Sequence, residues 1–469
     1  MLTYDFSERG NLGLYEYLYE CLKKDILEGK LAAGEKLPSK RNFSRHLQMS
    51  IKTVENAYEQ LLMEGYIYAK EKSGYYVAKL EGEETMVRSK TGFSDFAPSL
   101  LAQKGEDIVA DIRYRPSSFV DFPYSAWAKM VREVLSYHED AILGEAPWQG
   151  VYELREQIAK HLYAYRGMQV SSECIVIGSN MDELYGRLAA LFGTDAHYAF
   201  EDPGYGRFAQ LCHRQGLSYD YVRIDEDGME IEKLTQTEAN IAMVSPSHHF
   251  PTGLVMPIGR RLALLTWAEK ERGRYIIEND FDSEFRFSKR PIPTIYSMEY
   301  NHRVIYMNSF MKTMMPTLPI SYMVLPRKLM EQYEKLYADS ECRVSVMEQH
   351  ALSRFMEQGY FERHIQRMKK YYKGKRDAFL QIIKESPIQT IAKVEEKDAG
   401  NHFLLGLDTT LSDTQVKWFA KENGIELELV SEYSQIGKER YAHQVIVSYT
   451  KTSESDFKKA VDKIAGMLS

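Results

Sequence analysis

A chain of 469 residues is too long for one core and implies two or three domains. Its 44% hydrophobic and 27% charged residues are those of a soluble globular protein. The formal net charge of −7 excludes a uniformly basic nucleic-acid binder, but residues 1–80 hold 12 Lys+Arg against 11 Asp+Glu and the remainder 48 against 56, so the acidity belongs to the second part. The four cysteines, Cys21, Cys174, Cys212 and Cys342, lack metal-ligand spacing, and no signal peptide or apolar run of ~18 residues is found. The expectation is a cytoplasmic protein with reduced thiols and no membrane segment.

From about Leu12, the spacing of Leu14, Leu18, Leu22, Ile26 and Leu27 predicts a first helix, ended before the turn Ala33-Gly34. Pro38 fixes an entry and Ser39 can cap a second helix, with Leu47 packing it inward. After a turn at Gln48-Met49, Ser50 offers another N-cap, and Val54, Ala57, Tyr58 and Leu61 give a third helix its apolar face. Glu64-Gly65 closes that helix; strands at Tyr66-Ile67-Tyr68 and Tyr75-Tyr76-Val77, joined through Glu71-Lys72-Ser73-Gly74, form a wing. Lys36, Lys40, Arg41, Arg45 and Lys52 follow one another with no acidic residue between them. A solvated helical hairpin would show the same charge run, and the wing tips the reading towards a helix-turn-helix on DNA. Lys52, Thr53 and Asn56 then lie on the first turns of the recognition helix. Arg41 and the wing near Lys72 meet phosphate, and Ser39, Lys40 and Ser50 complete the DNA-binding set.

Glu81 to Lys104 has linker composition. Beyond it, helical patterns at Tyr152 to Tyr165 and Arg260 to Arg272 alternate with apolar runs at 174–177, 198–200, 241–244, 275–277 and 304–307. Such alternation predicts a buried, mostly parallel sheet flanked by helices. From about Ser340, a long helix at Met347 to Lys384 with a break near Gly359, short strands and a last helix at Ser453 to Leu468 predict a smaller α+β subdomain. The predicted division is 10–78 winged helix, 79–105 linker and 106–469 body.

Leu37-Pro38-Ser39-x-Arg41, the turn, Thr53-Val54-x-x-Ala57-Tyr58-x-x-Leu61 and Glu64-Gly65 resemble the GntR superfamily of winged-helix regulators. Members carry Arg directly after the Ser that opens the recognition helix. Here Ile51 stands there, with Lys52 beside it, which bears on the operator sequence.

From about Asp111 onward the chain resembles the type I aminotransferases. The likeness rests on Gln149-Gly150, Leu154-Arg155, Arg166-Gly167, Gly178-Ser179-Asn180, Glu201-Asp202-Pro203-Gly204-Tyr205, Ser247 to Gly253, Asn279 to Arg286 and Ser309-Phe310-Met311-Lys312, in family order. Joined to the head, it resembles the MocR (GabR-like) regulators. The resemblance implies an α/β fold with an N-terminal winged helix-turn-helix, a pyridoxal phosphate (PLP)-dependent aminotransferase-like body and a homodimer reading two half-sites of double-stranded DNA. By motif position Lys312 is the Schiff-base lysine, Ser309, Ser179 and Asn180 face the cofactor phosphate, and Tyr205 lies against its ring. Arg207 meets an effector carboxylate.

The departures fall within the same site. Asn279 stands where the family has the acid for the ring nitrogen, Phe281 replaces a tyrosine, Pro319 a phosphate-binding arginine and Ile446 the arginine for a substrate carboxylate. Losing four such contacts, each worth ~1.5–3 kcal/mol when charge-assisted, points away from enzyme chemistry. The reading is a regulator sensing a small molecule, PLP or an amino-acid-derived ligand, with PLP held weakly or lost and no catalytic residue in use. The competing readings are a working aminotransferase with an accessory DNA-binding head and a body that is a scaffold without ligand.

Overall fold

Leu18, Leu22 and Ile26 lie one helical turn apart and bury one face of α1 (Leu14–Leu27) against α3 (Ile51–Met63), whose Val54, Ala57, Tyr58 and Leu61 are wholly removed from water. The structure, a computed structural model, describes residues 2–10, 12–70, 73–79, 108–114, 122–137, 139–280, 282–287 and 292–468, without the side chains of residues 7, 8, 139 and 141. Lys72, Phe281 and the segment Glu81 to Lys104 lie outside the described residues. The chain separates into two compact units, Met1–Lys104 and Gly105–Ser469.

In the first unit both expected caps form. Ser39 Oγ accepts from the Asn42 amide at 3.3 Å to start α2 (Lys40–His46), and Ser50 Oγ accepts from the Thr53 amide at 3.0 Å to start α3. Gln48 takes the turn between them with φ of 53°. Phe43 anchors α2 in full burial, and Leu47, the C-cap just past the helix, packs half-buried on the same core. The wing is the antiparallel pair β1 (Ile67–Lys70) and β2 (Gly74–Val77), with Ile67 opposite Val77 and both in the core.

The second unit starts with β3 (Ala110–Asp111). Among the described residues its large sheet has eight strands: β4 (Ile175–Gly178), β5 (His197–Asp202), β6 (Ser218–Asp225), β7 (Gly228–Met229), β8 (Ile241–Val244), β9 (Tyr275–Asn279), β10 (Val304–Ser309) and β11 (Ser321–Val324). Their order is β4-β11-β10-β9-β8-β5-β6-β7, and the run from β10 to β6 is parallel throughout. The predicted apolar runs are β4, β5, β8, β9 and β10. Three members of the sheet were not among those runs: β6, which is largely half-buried, β7, which is two residues long, and β11.

Gly359, at φ of 69°, divides the predicted long helix into Val346–Glu357 and Tyr360–Glu385. A second sheet, β12 (Ala392–Glu395), β13 (His402–Leu407), β16 (Gln444–Ser448) and β15 (Glu428–Leu429), packs with the helices Tyr360–Glu385 and Glu454–Leu468 around Phe379, Phe403, Val447 and Phe457. β3 returns to this subdomain by pairing with β14 (Ile425–Glu426). No described helix is long and apolar enough to cross a membrane.

Replacing Ser50 by Ala removes the bond that satisfies the first turn of α3. The expected loss is ~1 kcal/mol of local stability, read as roughly fivefold faster hydrogen exchange of the α3 amides, with exchange in the second unit unchanged.

Candidate functional site

On the head, α3 presents Ile51 and Lys52 as exposed residues, with Thr53, Glu55 and Asn56 half-exposed behind them. Arg41 and Arg45 on α2 are exposed. Lys40 is not a free cation: its Nζ donates to Glu55 Oε1 at 2.8 Å and lies over the Tyr75 ring. Lys52 Nζ donates to Glu55 Oε2 at 3.2 Å. The run that is unbroken in sequence thus acquires an acid in three dimensions. Ser39 and Ser50 act first as caps, and Ser50 Oγ also shares a hydrogen bond with Thr53 Oγ1 at 2.8 Å.

In the second unit, a cavity of about 340 Å³ opens where the parallel strands end. Asn279 closes β9 and Ser309 closes β10, and Lys312 follows in the turn beyond. These three line the cavity together with Tyr205, Arg207 and Asn180, so six of the seven ligand positions read from the sequence share one wall. Burial pulls Lys312 down to about 8; Asp282 offsets this in part and Arg207 adds to it. Its Nζ stands 4.4 Å from the centroid of Tyr114. On two lining residues a polar atom, Asn279 Oδ1 and Tyr114 Oη, is buried without a hydrogen-bond partner among the described residues.

Asp280 faces the other way. It pairs with Arg166 at 2.9 Å and accepts from Tyr306 Oη at 2.7 Å and Ser283 Oγ at 3.0 Å. Ser309 Oγ is held by Ser321 Oγ at 2.8 Å and by the Met311 amide.

Ser179, the seventh position, is engaged elsewhere. Its amide and its hydroxyl both donate to Glu183 Oε2, at 2.7 and 2.6 Å, and Arg187 clamps Glu183 at 2.6 Å. Asn180 Oδ1 accepts from the Glu183 amide and caps the helix Met181–Phe192. Arg207 pairs with Asp182 at 3.0 Å. Pro319 is half-buried, and Ile446 is buried in an apolar cluster with Phe250, Leu404 and Val430, against which Tyr114 packs.

Sequence reasoning missed Tyr114, Phe250 and Asp182 as cavity walls. Phe250 lies inside the Ser247 to Gly253 motif and Asp182 three residues after Ser179, so both were within reach; Tyr114 has no local signature.

Two family descriptions match the chain: "Bacterial regulatory proteins, gntR family" over residues 14–77 and "Aminotransferase class I and II" over residues 121–432. The uncharacterized HTH-type transcriptional regulator YdeL of Bacillus subtilis (strain 168) is 31% identical, the alignment covering 97% of this chain and 96% of that protein. The probable rhizopine catabolism regulatory protein MocR of Rhizobium meliloti is 29% identical over 87% of this chain and 84% of that protein. The chain belongs to the MocR-type GntR regulators. This MocR-type chain therefore joins a DNA-binding winged helix to an aminotransferase fold. The crystal structure of Pyrococcus horikoshii kynurenine aminotransferase, 20% identical, superposes with a TM-score of 0.70 over 82% of this chain and 95% of that one, and shows the fold of the body.

Burial lowers the Lys312 amine, so it loses its proton as pH rises through about 8, whereas surface lysines keep theirs to ~10.4. Reductive methylation with labelled formaldehyde followed by NMR titration should show one lysine signal with a midpoint near pH 8, missing in Lys312→Ala.

Proposed function

We propose that this MocR-type regulator is a cytoplasmic homodimer whose heads read two half-sites and whose cavity binds a small-molecule effector through Lys312. The observation that carries this reading is the half-buried, deprotonation-prone Lys312 in a ligand-sized cavity whose lining residues Asn279 and Tyr114 carry buried polar atoms without a partner among the described residues. Homodimerisation is supported by the exposed apolar side chains Tyr124, Leu135, Tyr137 and Leu143 on neighbouring helices, and by the one half-site that a single winged helix reads. Sedimentation at micromolar concentration should give the dimer.

PLP, when bound to such folds, supplies an aldehyde for a lysine and a ring that takes up electrons. Lys312, Tyr205 and Asn279 suit its carbonyl and ring. Its phosphate does not fit: Ser179 has given both donors to Glu183, and Pro319 offers neither charge nor donor. An amide at Asn279 cannot hold the ring nitrogen protonated, and Ile446, buried in an apolar cluster, itself offers no cation for a substrate carboxylate. We therefore expect weak PLP binding and no measurable transamination with amino-acid donors and 2-oxo-acid acceptors. Sustained turnover would instead support the enzyme with an accessory head.

For the DNA face, Arg41→Ala should weaken all sequences alike, while Asn56→Ala weakens preferred sites selectively, by ~1–3 kcal/mol per lost base contact. Gel-shift titrations on operator and random duplexes separate the two, and unchanged affinity in both variants would remove α3 from the groove. Lys312→Ala should leave operator affinity intact and abolish the transcriptional response to effector; a wild-type response from that variant would favour a body without ligand.

A further inference from the structure

The helix Met181–Phe192 starts at the cavity, with Asn180, Met181 and Asp182 in its wall. A helix N-terminus attracts anions, and here the protein has already supplied them. Glu183 takes the Ser179 amide and hydroxyl and is itself fixed by Arg187. Asp182 neutralises Arg207, so the guanidinium at the cavity is not an uncompensated charge. A phosphate entering this end would displace one carboxylate and stand beside the other. Apart from Lys312 and from Ser309, whose Oγ already accepts from Ser321 and the Met311 amide, the remaining surface is mainly aromatic or apolar, from Tyr114, Tyr185, Tyr205, Phe250 and Pro316. The lining residues Asn279, only 4% exposed, and Tyr114 carry an acceptor and a hydroxyl, Asn279 Oδ1 and Tyr114 Oη, that are buried without a partner among the described residues.

We infer that the cavity takes an unphosphorylated aromatic aldehyde or ketone, bearing a hydroxyl or N–H group for Asn279 Oδ1 and Tyr114 Oη, which condenses with Lys312. This deepens the proposed effector reading and rests on it. The lysine amine adds to the carbonyl carbon, a nitrogen-bound proton passes to the oxygen, and loss of one water leaves an imine. No oxidant or reductant is consumed. With the amine lowered to about 8, roughly a tenth of it is neutral at pH 7, enough to add without an auxiliary base. A cavity of about 340 Å³ holds one substituted ring.

The test compares 5′-deoxypyridoxal with pyridoxal 5′-phosphate on the full chain. Both present the same ring and aldehyde, and they differ in the phosphate ester. Equilibrium absorbance titration, followed by borohydride reduction and peptide mass spectrometry, should show 5′-deoxypyridoxal fixed at Lys312 with affinity about tenfold or more above that of the phosphate. Glu183→Gln and Asp182→Asn should each raise affinity for the phosphate by about tenfold, with 5′-deoxypyridoxal changed less than about twofold. If either variant fails to fold, the wild-type comparison decides alone. Equal or tighter binding of the phosphate overturns this inference and leaves Lys312 as an effector lysine. An absence of any adduct at Lys312 from both compounds overturns the effector reading as well.

Discussion

Arg166, the last residue of the helix Tyr152–Arg166, reaches Asp280 at 2.9 Å with both side chains almost entirely removed from water. Ser247 takes another guanidinium hydrogen, and Tyr306 and Ser283 donate to the same carboxylate oxygen that Arg166 meets. A buried pair of this kind contributes little over an apolar substitute, but loss of one partner strands a charge at a cost of about 3–5 kcal/mol. The segment after β9 is thereby locked in one orientation. Asp280 belongs to the packed side of the sheet, and the residue before it, Asn279, is the one delivered to the cavity. A carboxylate sits one position away in sequence and is unavailable to the site.

That fixed alternation gives the cavity its character. Its polar contributions are amide, hydroxyl and one softened amine, while the formal charges at its mouth cancel between Arg207 and Asp182. Behind the lining residue Phe250 the subdomain packs Val430 and Ile446 in an apolar cluster. A carboxylate desolvated against Phe250 would lose its hydration with nothing in return. The aromatic rings, by contrast, favour a flat ligand whose faces they can cover. The body keeps the fold of the aminotransferases, with the charges at its cavity mouth paired inside the protein.

Much of this was legible in the residues. The head could be read almost completely, because its apolar spacing and its serine caps are local signals and the core that forms is the one they specify. Lys312, Ser309, Asn279, Tyr205 and Arg207 were readable as one site from motif order. Contacts between turns or between distant segments were harder. Glu55 lies past the basic run and folds back on Lys40 across fifteen residues. Tyr114 meets Lys312 and Phe250 only through tertiary packing. Ser179 is a nearer miss: Asn180 followed three residues later by Glu183 is a helix-start pattern, and a glutamate there reaches back for the amides that a phosphate would otherwise use.

Glu55 has an effect well beyond the head's internal packing. Each phosphate neutralised by a protein cation frees about 0.9 of a condensed counterion, and the one carboxylate already offsets one of the two charges on Lys40 and Lys52. The pull of this surface on arbitrary duplex is weakened by that much. On a chromosome crowded with wrong sites, a weaker sequence-independent pull leaves a larger share of the discrimination to base-edge complementarity.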